Sequence, residues 1–143
     1  MGRGARDTVE MSDGVFDFET NPVHLGLGAI ARVLPEMDGT SEWYERYGAD
    51  VAVDGFEGRL VSMYTFTQSW DSWERHPNGH EVVLCTAGSM TLIQEVDGVE
   101  RAVTVSAGQG VINAPGVWHT ADVSEPCTAL FITAGAGTEH RGR

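Results

Sequence analysis

The apolar positions fall into two regimes along the chain. Up to about Met37 they come in short pieces broken by Pro22 and Pro35, a pattern that predicts extended arms rather than a helix. Thr40–Gly48 then reads as one short helix, with a Thr/Ser N-cap, a Glu in the first turn and a closing Gly. Beyond it strand signals dominate. Residues 59–66 (R-L-V-S-M-Y-T-F) are β-rich, and 81–86 (E-V-V-L-C-T) form a continuous apolar run of the buried-strand kind. M-T-L-I-Q-E-V and V-E-R-A-V-T-V flank Asp97-Gly98, a strong hairpin signal. G-V-I-N, H-T-A-D-V and T-A-L-F-I-T follow at short intervals, separated by Gly-containing turns. Many short strands at near-regular spacing predict an all-β sandwich or barrel.

Length allows one domain with one core: 143 residues with 41% apolar content. We expect a mobile tail over 1–14 and one domain over 15–143, with no internal repeat. The net charge of −12 argues against nucleic acid or an anionic membrane as partner, since phosphate contacts need Lys and Arg. Every basic residue is Arg; the absence of Lys excludes Schiff-base chemistry and a Walker-type lysine. Cys85 and Cys127 lack metal or redox spacing and read as reduced core thiols, which fits a cytoplasmic protein. The N-terminus has no apolar signal region, and no apolar run is long enough to span a bilayer. Gly26–Ala31 (G-L-G-A-I-A) matches a dinucleotide fingerprint, but without a long following helix it reads as an extended Gly-containing segment.

The chemistry concentrates in W-E-R-H-P-N-G-H-E, Trp73–Glu81, where two His and two Glu surround a Pro-Asn-Gly turn. Strand alternation puts Glu74 and His76 on one side. A second segment, Gly108–His119 (G-Q-G-V-I-N-A-P-G-V-W-H), again ends on a histidine after a Pro-Gly turn.

These two segments resemble the two motifs of the cupin superfamily. In the first, His76 fits the second histidine, Glu81 the glutamate and Gly88 the closing glycine; in the second, Gly108, Gly116 and His119 fit at the family spacing. The chain departs from the pattern at Glu74, which replaces the first histidine, at Ala114 and at Val123. More loosely, the chain resembles small bacterial cupins carrying W-E-x-H-P-x-G-x-E and ending in G-T-E-H-R. The resemblance implies a double-stranded β-helix (jelly-roll) barrel with an N-terminal arm. It also implies a metal site of His76, Glu81 and His119 with Glu74 as a fourth candidate ligand, for one divalent transition metal (Fe, Mn, Ni, Co or Zn).

A mixed N/O ligand set leaves room for substrate or oxygen. Two functions stay open at this stage. One is a metal-dependent dioxygenase, isomerase or lyase acting on a small ketone- or enol-like substrate, with Glu74 or an inward Tyr64 moving a proton. The other is a small-molecule-binding module without turnover. Met63, Trp70, Trp73 and Trp118 are expected to line the pocket. Without metal, Glu74 and Glu81 would repel, raising the pKa of one. His24 and His140 are read as surface residues and His80 as lying at the pocket mouth or in solvent. Pairing through N-terminal strands predicts a homodimer.

Overall fold

The computed structural model describes residues 9–11 and 13–143, so much of the 1–14 tail lies outside the described residues. Eleven strands and one helix follow in the order β1 (Val23–Gly26), β2 (Ile30–Val33), α1 (Ser41–Val51), a 3-10 turn (Ala52–Asp54), β3 (Arg59–Phe66), β4 (Ser72–Arg75), β5 (Glu81–Ala87), β6 (Ser89–Val96), β7 (Val99–Ser106), β8 (Gly110–Asn113), β9 (Trp118–Asp122), β10 (Cys127–Thr133) and β11 (Glu139–Gly142). They form two antiparallel sheets, ordered β2-β1-β3-β10-β5-β8 and β11-β4-β9-β6-β7. Val83, Cys85, Met90, Leu92, Val105, Ala121, Ala129 and Phe131 pack between the sheets as the main core.

The expected barrel is not closed. No ladder joins the two sheets among the described residues. The break falls at Gly108-Gln109-Gly110, where Gly108 has φ 85°. There the chain leaves β7, an edge of the second sheet, and starts β8, an edge of the first. A corner replaces what a closed barrel would make a ladder. The hairpin at Asp97-Gly98 is as expected, with both residues at positive φ (54° and 76°), the twist a two-residue type I′ turn requires. Gly26–Ala31 is the β1–β2 turn region, with Gly28 and Ala29 at positive φ, and not a nucleotide loop.

The helix extends beyond Gly48 to Val51. Thr40 caps it by accepting from the Trp43 N–H at 3.2 Å. Trp43 buries against Leu34 and Leu60 in a second, smaller core, and this packing outweighs the roughly 1 kcal/mol cost of a mid-helix glycine.

His24 is not a surface residue. It is fully buried, with Nε2 2.6 Å from Asp54 Oδ2 and Nδ1 2.7 Å from the Tyr47 hydroxyl. This chain of three polar groups ties β1 to the helix and the turn after it. A Cβ at Gly58 would come within 2.7 Å of the His24 ring, so the glycine leaves room for the imidazole. Cys85 and Cys127 are buried free thiols with their sulfurs 3.7 Å apart, and burial pushes Cys127 up to about 12.

Gly88 has a demanding position. Its φ is 73°, and a Cβ there would lie 2.3 Å from the Pro126 carbonyl oxygen. Gly98 has φ 76° but no atom within 4 Å. Gly98→Ala should therefore cost about 1 kcal/mol of backbone strain. Gly88→Ala should cost about 3 kcal/mol, because β10 must also shift. Urea midpoints of the two variants measure the difference; equal losses would show that the contact with Pro126 is unimportant.

Candidate metal centre

Glu74, His76, Glu81 and His119 each present one ligand atom, and the four atoms lie within 4.8 Å of one another. They come from both sheets. Glu74 on β4 and His119 on β9 are a cross-strand pair in one sheet, and Glu81 opens β5 in the other. His76 follows β4 directly, on the same side as Glu74, as strand alternation requires. The two motif turns are tied together: the Gly116 N–H donates to the His76 carbonyl at 3.0 Å.

Local chemistry fixes the orientation of each imidazole. Thr138 Oγ1 donates to the Gly135 carbonyl at 2.8 Å, so it accepts from His76 Nδ1, also at 2.8 Å. His119 Nδ1 donates to the Val117 carbonyl at 3.2 Å. Both rings therefore carry hydrogen on Nδ1 and turn Nε2 toward the carboxylates.

His76 Nε2 lies 3.0 Å from Glu74 Oε1 and 3.1 Å from Glu81 Oε2; His119 Nε2 lies 3.2 Å from Glu81 Oε1 and 3.8 Å from Glu74 Oε1. Despite these short separations, neither Nε2 has a partner in hydrogen-bond geometry, and both atoms are buried. Close approach without aligned bonds is the arrangement of atoms facing a shared centre.

Glu81 is held from both neighbouring strands. Asn113 and Thr133 are its register partners on β8 and β10. Asn113 Nδ2 donates to Oε1 at 3.0 Å and Thr133 Oγ1 to Oε2 at 2.7 Å. Gln94 Nε2 donates to Asn113 Oδ1 at 2.8 Å and so fixes which way that amide points. Asn113, Thr133, Thr138 and Gln94 were not singled out from the sequence; only the strand register brings them in.

Charge balance corrects the expected carboxylate repulsion. Burial acts to raise both glutamates, but the facing His119 and His76 reverse it, lowering Glu81 to about 2 and Glu74 further still. Burial acts to lower both histidines, and Glu74 and Glu81 raise each to about 9. Without metal the cluster is two imidazoliums facing two carboxylates.

The expected pocket residues divide. Trp70 is at the site: its ring packs 6.2 Å from that of His119 and against Phe66 and Phe131, and its Nε1 is buried without a partner. Tyr64 faces the core beside Phe66 and Phe131, with its hydroxyl 2.8 Å from that of Tyr44. Trp73 and Trp118, expected to line the pocket, alternate with Glu74 and His119 and so turn to the outer face, where the Arg141 guanidinium sits 5.0 Å from one ring and 4.6 Å from the other. Met63 alternates with Tyr64 and lies outside the first sheet, in a groove with Val15, Phe16 and Phe18. His80 is exposed. His140 is 60% exposed yet reaches Glu74, Nε2 to Oε2, at 3.1 Å.

No protein-family profile and no curated protein sequence matches the chain. Solved structures are similar to part of it. A double-stranded β-helix protein from Klebsiella pneumoniae is 21% identical, covering 59% of this chain and 76% of that one, with TM-score 0.49. A cupin-2 domain protein from Shewanella frigidimarina is 20% identical over 52% of this chain and 69% of its own, with TM-score 0.46. A cupin protein from Bacteroides fragilis is 19% identical, covering 63% and 74%, with TM-score 0.48. Each of these likenesses covers only part of the chain. No helix among the described residues is long and apolar enough to cross a membrane.

Proposed function

We propose that the chain is a metal-dependent enzyme acting on a small ketone- or enol-like substrate, as a dioxygenase, isomerase or lyase. Glu74, His76, Glu81 and His119 would hold one divalent transition metal. The observation that carries this reading is the pair of buried, unpartnered Nε2 atoms among two carboxylates. Two imidazoles and two carboxylates suit Fe, Mn, Ni, Co or Zn. Such an ion would supply Lewis-acid polarisation of a substrate oxygen and, if iron or manganese, one-electron chemistry.

The chain's own groups have distinct tasks. Glu81 is 2% exposed and doubly hydrogen-bonded, so it is a fixed anchor. Glu74 is 28% exposed, so it is the carboxylate a substrate could reach and the first proton-moving candidate. Trp70 Nε1 is a buried donor with nothing to donate to, a cost of about 1–3 kcal/mol that a substrate oxygen would relieve. Phe66 and Phe131 pack against Trp70 as an apolar wall beside the site. Tyr64 is the second proton-moving candidate.

A non-catalytic, ligand-binding reading is favoured by one observation: each imidazole Nε2 already lies within 3.2 Å of a carboxylate oxygen that could balance its charge without a metal. The two readings separate experimentally. Protein loaded with each metal is incubated with a panel of small enolisable ketones, following solvent-deuterium exchange and oxygen uptake. Metal-dependent turnover lost in Glu74→Gln supports the enzyme. Ligand-induced change in Trp70 fluorescence with no turnover for any metal supports the binding module. Trp70→Phe removes the donor while keeping an aromatic ring at the position, so it should raise KM about tenfold for an oxygen-bearing substrate; an unchanged KM would remove Trp70 from the site.

We also propose a homodimer formed through the β1–β2 hairpin. β2 is an edge strand, and Leu25, Leu27 and Ile30 on this hairpin are exposed. Sedimentation giving a monomer mass would refute it.

A further inference from the structure

We infer that the C-terminal strand β11 and the turn before it are the orienting support of the metal centre, with His140 and Thr138 as positioning residues. This rests on the metal reading proposed above and assigns roles to residues outside the four ligands.

Two contacts carry it. Thr138 Oγ1, committed as donor to Gly135, can only accept from His76 Nδ1 at 2.8 Å. That bond fixes the tautomer whose Nε2 lone pair is available to a metal. His140 is the register partner of Glu74 across β11·β4, and its Nε2 donates to Glu74 Oε2 at 3.1 Å. With Oε2 engaged there, Oε1 is the oxygen left facing His76 and His119. His140 thereby holds Glu74 to one ligand oxygen. One short segment thus reaches two of the four ligands from the side away from the metal.

The segment is anchored independently of those two contacts. Arg141 lies between Trp73 and Trp118 and pairs with Glu95. Glu139 pairs with Arg75 at 2.7 Å. Arg143 Nη1 donates to Asp122 Oδ1 at 2.7 Å and to the Trp70 carbonyl at 2.9 Å. Asn78, in the turn between His76 and Glu81, donates to the Ala136 carbonyl at 2.9 Å. Apart from these anchors, β11 pairs with β4 alone, at the sheet edge. His140 itself is 60% exposed, so burial does not force its contact with Glu74.

The test uses the full chain, stripped of metal and titrated with Co(II), read by calorimetry and by the visible absorption of the bound ion. Removing an outer-shell partner of a metal ligand typically weakens binding by about 10–100-fold. His140→Ala should weaken Co(II) by that factor and shift the visible bands, while its urea midpoint stays at the wild-type value. His140→Gln, which keeps an N–H donor, should recover most of the affinity. Thr138→Ala should weaken Co(II) similarly and Thr138→Ser should restore it. Wild-type affinity and spectrum in both alanine variants would overturn this inference alone. A wild-type chain that takes up no Co(II) would overturn the metal reading and this inference together.

Discussion

Glu81→Ala should destabilise the metal-free protein by about 3–5 kcal/mol, the range for removing one partner of a buried ion pair. The side chain is 2% exposed, and four groups converge on it. Asn113 and Thr133 donate to its two oxygens, and the His76 and His119 rings face it at 3.1 and 3.2 Å. Alanine would leave two donors unfilled and two imidazoliums opposite Glu74 alone. The imidazoles can shed protons to limit the damage, so the loss should be greatest near about pH 6, where charging is favoured. Glu81→Gln keeps an acceptor for one donor and should lose less. Urea unfolding near that pH measures both. A loss under about 1 kcal/mol for the alanine variant would contradict the buried pairing.

The second large effect is the pH dependence of metal uptake. His76 and His119 are each raised to about 9 in the metal-free protein, so at neutral pH both carry a proton that a metal must displace. Two displaced protons make the apparent affinity rise by as much as about a hundredfold per pH unit, levelling off near 9. Calorimetry in buffers of different ionisation enthalpy should find about two protons released per ion at pH 7. A pH-independent affinity with no proton release would show that the histidines are not the ligands.

The stability of the metal-free protein runs the other way. The raised histidines contribute stability that is fully present below the ordinary imidazole value of 6.5 and lost as pH climbs through about 9. The lowered Glu81 contributes stability present above 4.5 and lost as pH falls toward about 2. The cluster therefore supports the fold best between these ordinary values, from 4.5 to 6.5. Metal binding and metal-free stability favour opposite sides of neutrality.

The four-residue cluster was legible because motif spacing and strand alternation are both local. His76, Glu81 and His119 sit at the spacing of the motifs they resemble, and alternation alone puts Glu74 beside His76. The same alternation sends Trp73 and Trp118 outward, since each is the immediate neighbour of a ligand. Nearness in sequence to Glu74 and His119 is a poor guide to nearness in space when the neighbour lies on the other face. Met63 beside Tyr64 repeats the lesson. Asn113 and Thr133 were hidden because their closeness to Glu81 depends on the registers β5·β8 and β5·β10. The β11 segment, E-H-R-G, carries no apolar alternation and gave no strand signal, yet it pairs along β4. His24 was missed for a related reason: its partners Tyr47 and Asp54 lie 23 and 30 residues away, on a helix and a turn whose docking a lone histidine does not announce.

Four side chains from two facing sheets are proposed to hold one divalent metal. Elemental analysis of the untagged protein, after anaerobic loading with Fe(II), Mn, Ni, Co or Zn and removal of excess ion, tests it most directly, beside His76→Ala and His119→Ala. About one equivalent of a transition metal per chain is expected in the wild type and none in either variant. A wild-type chain that retains none of these metals, or variants that retain as much as the wild type, would contradict it.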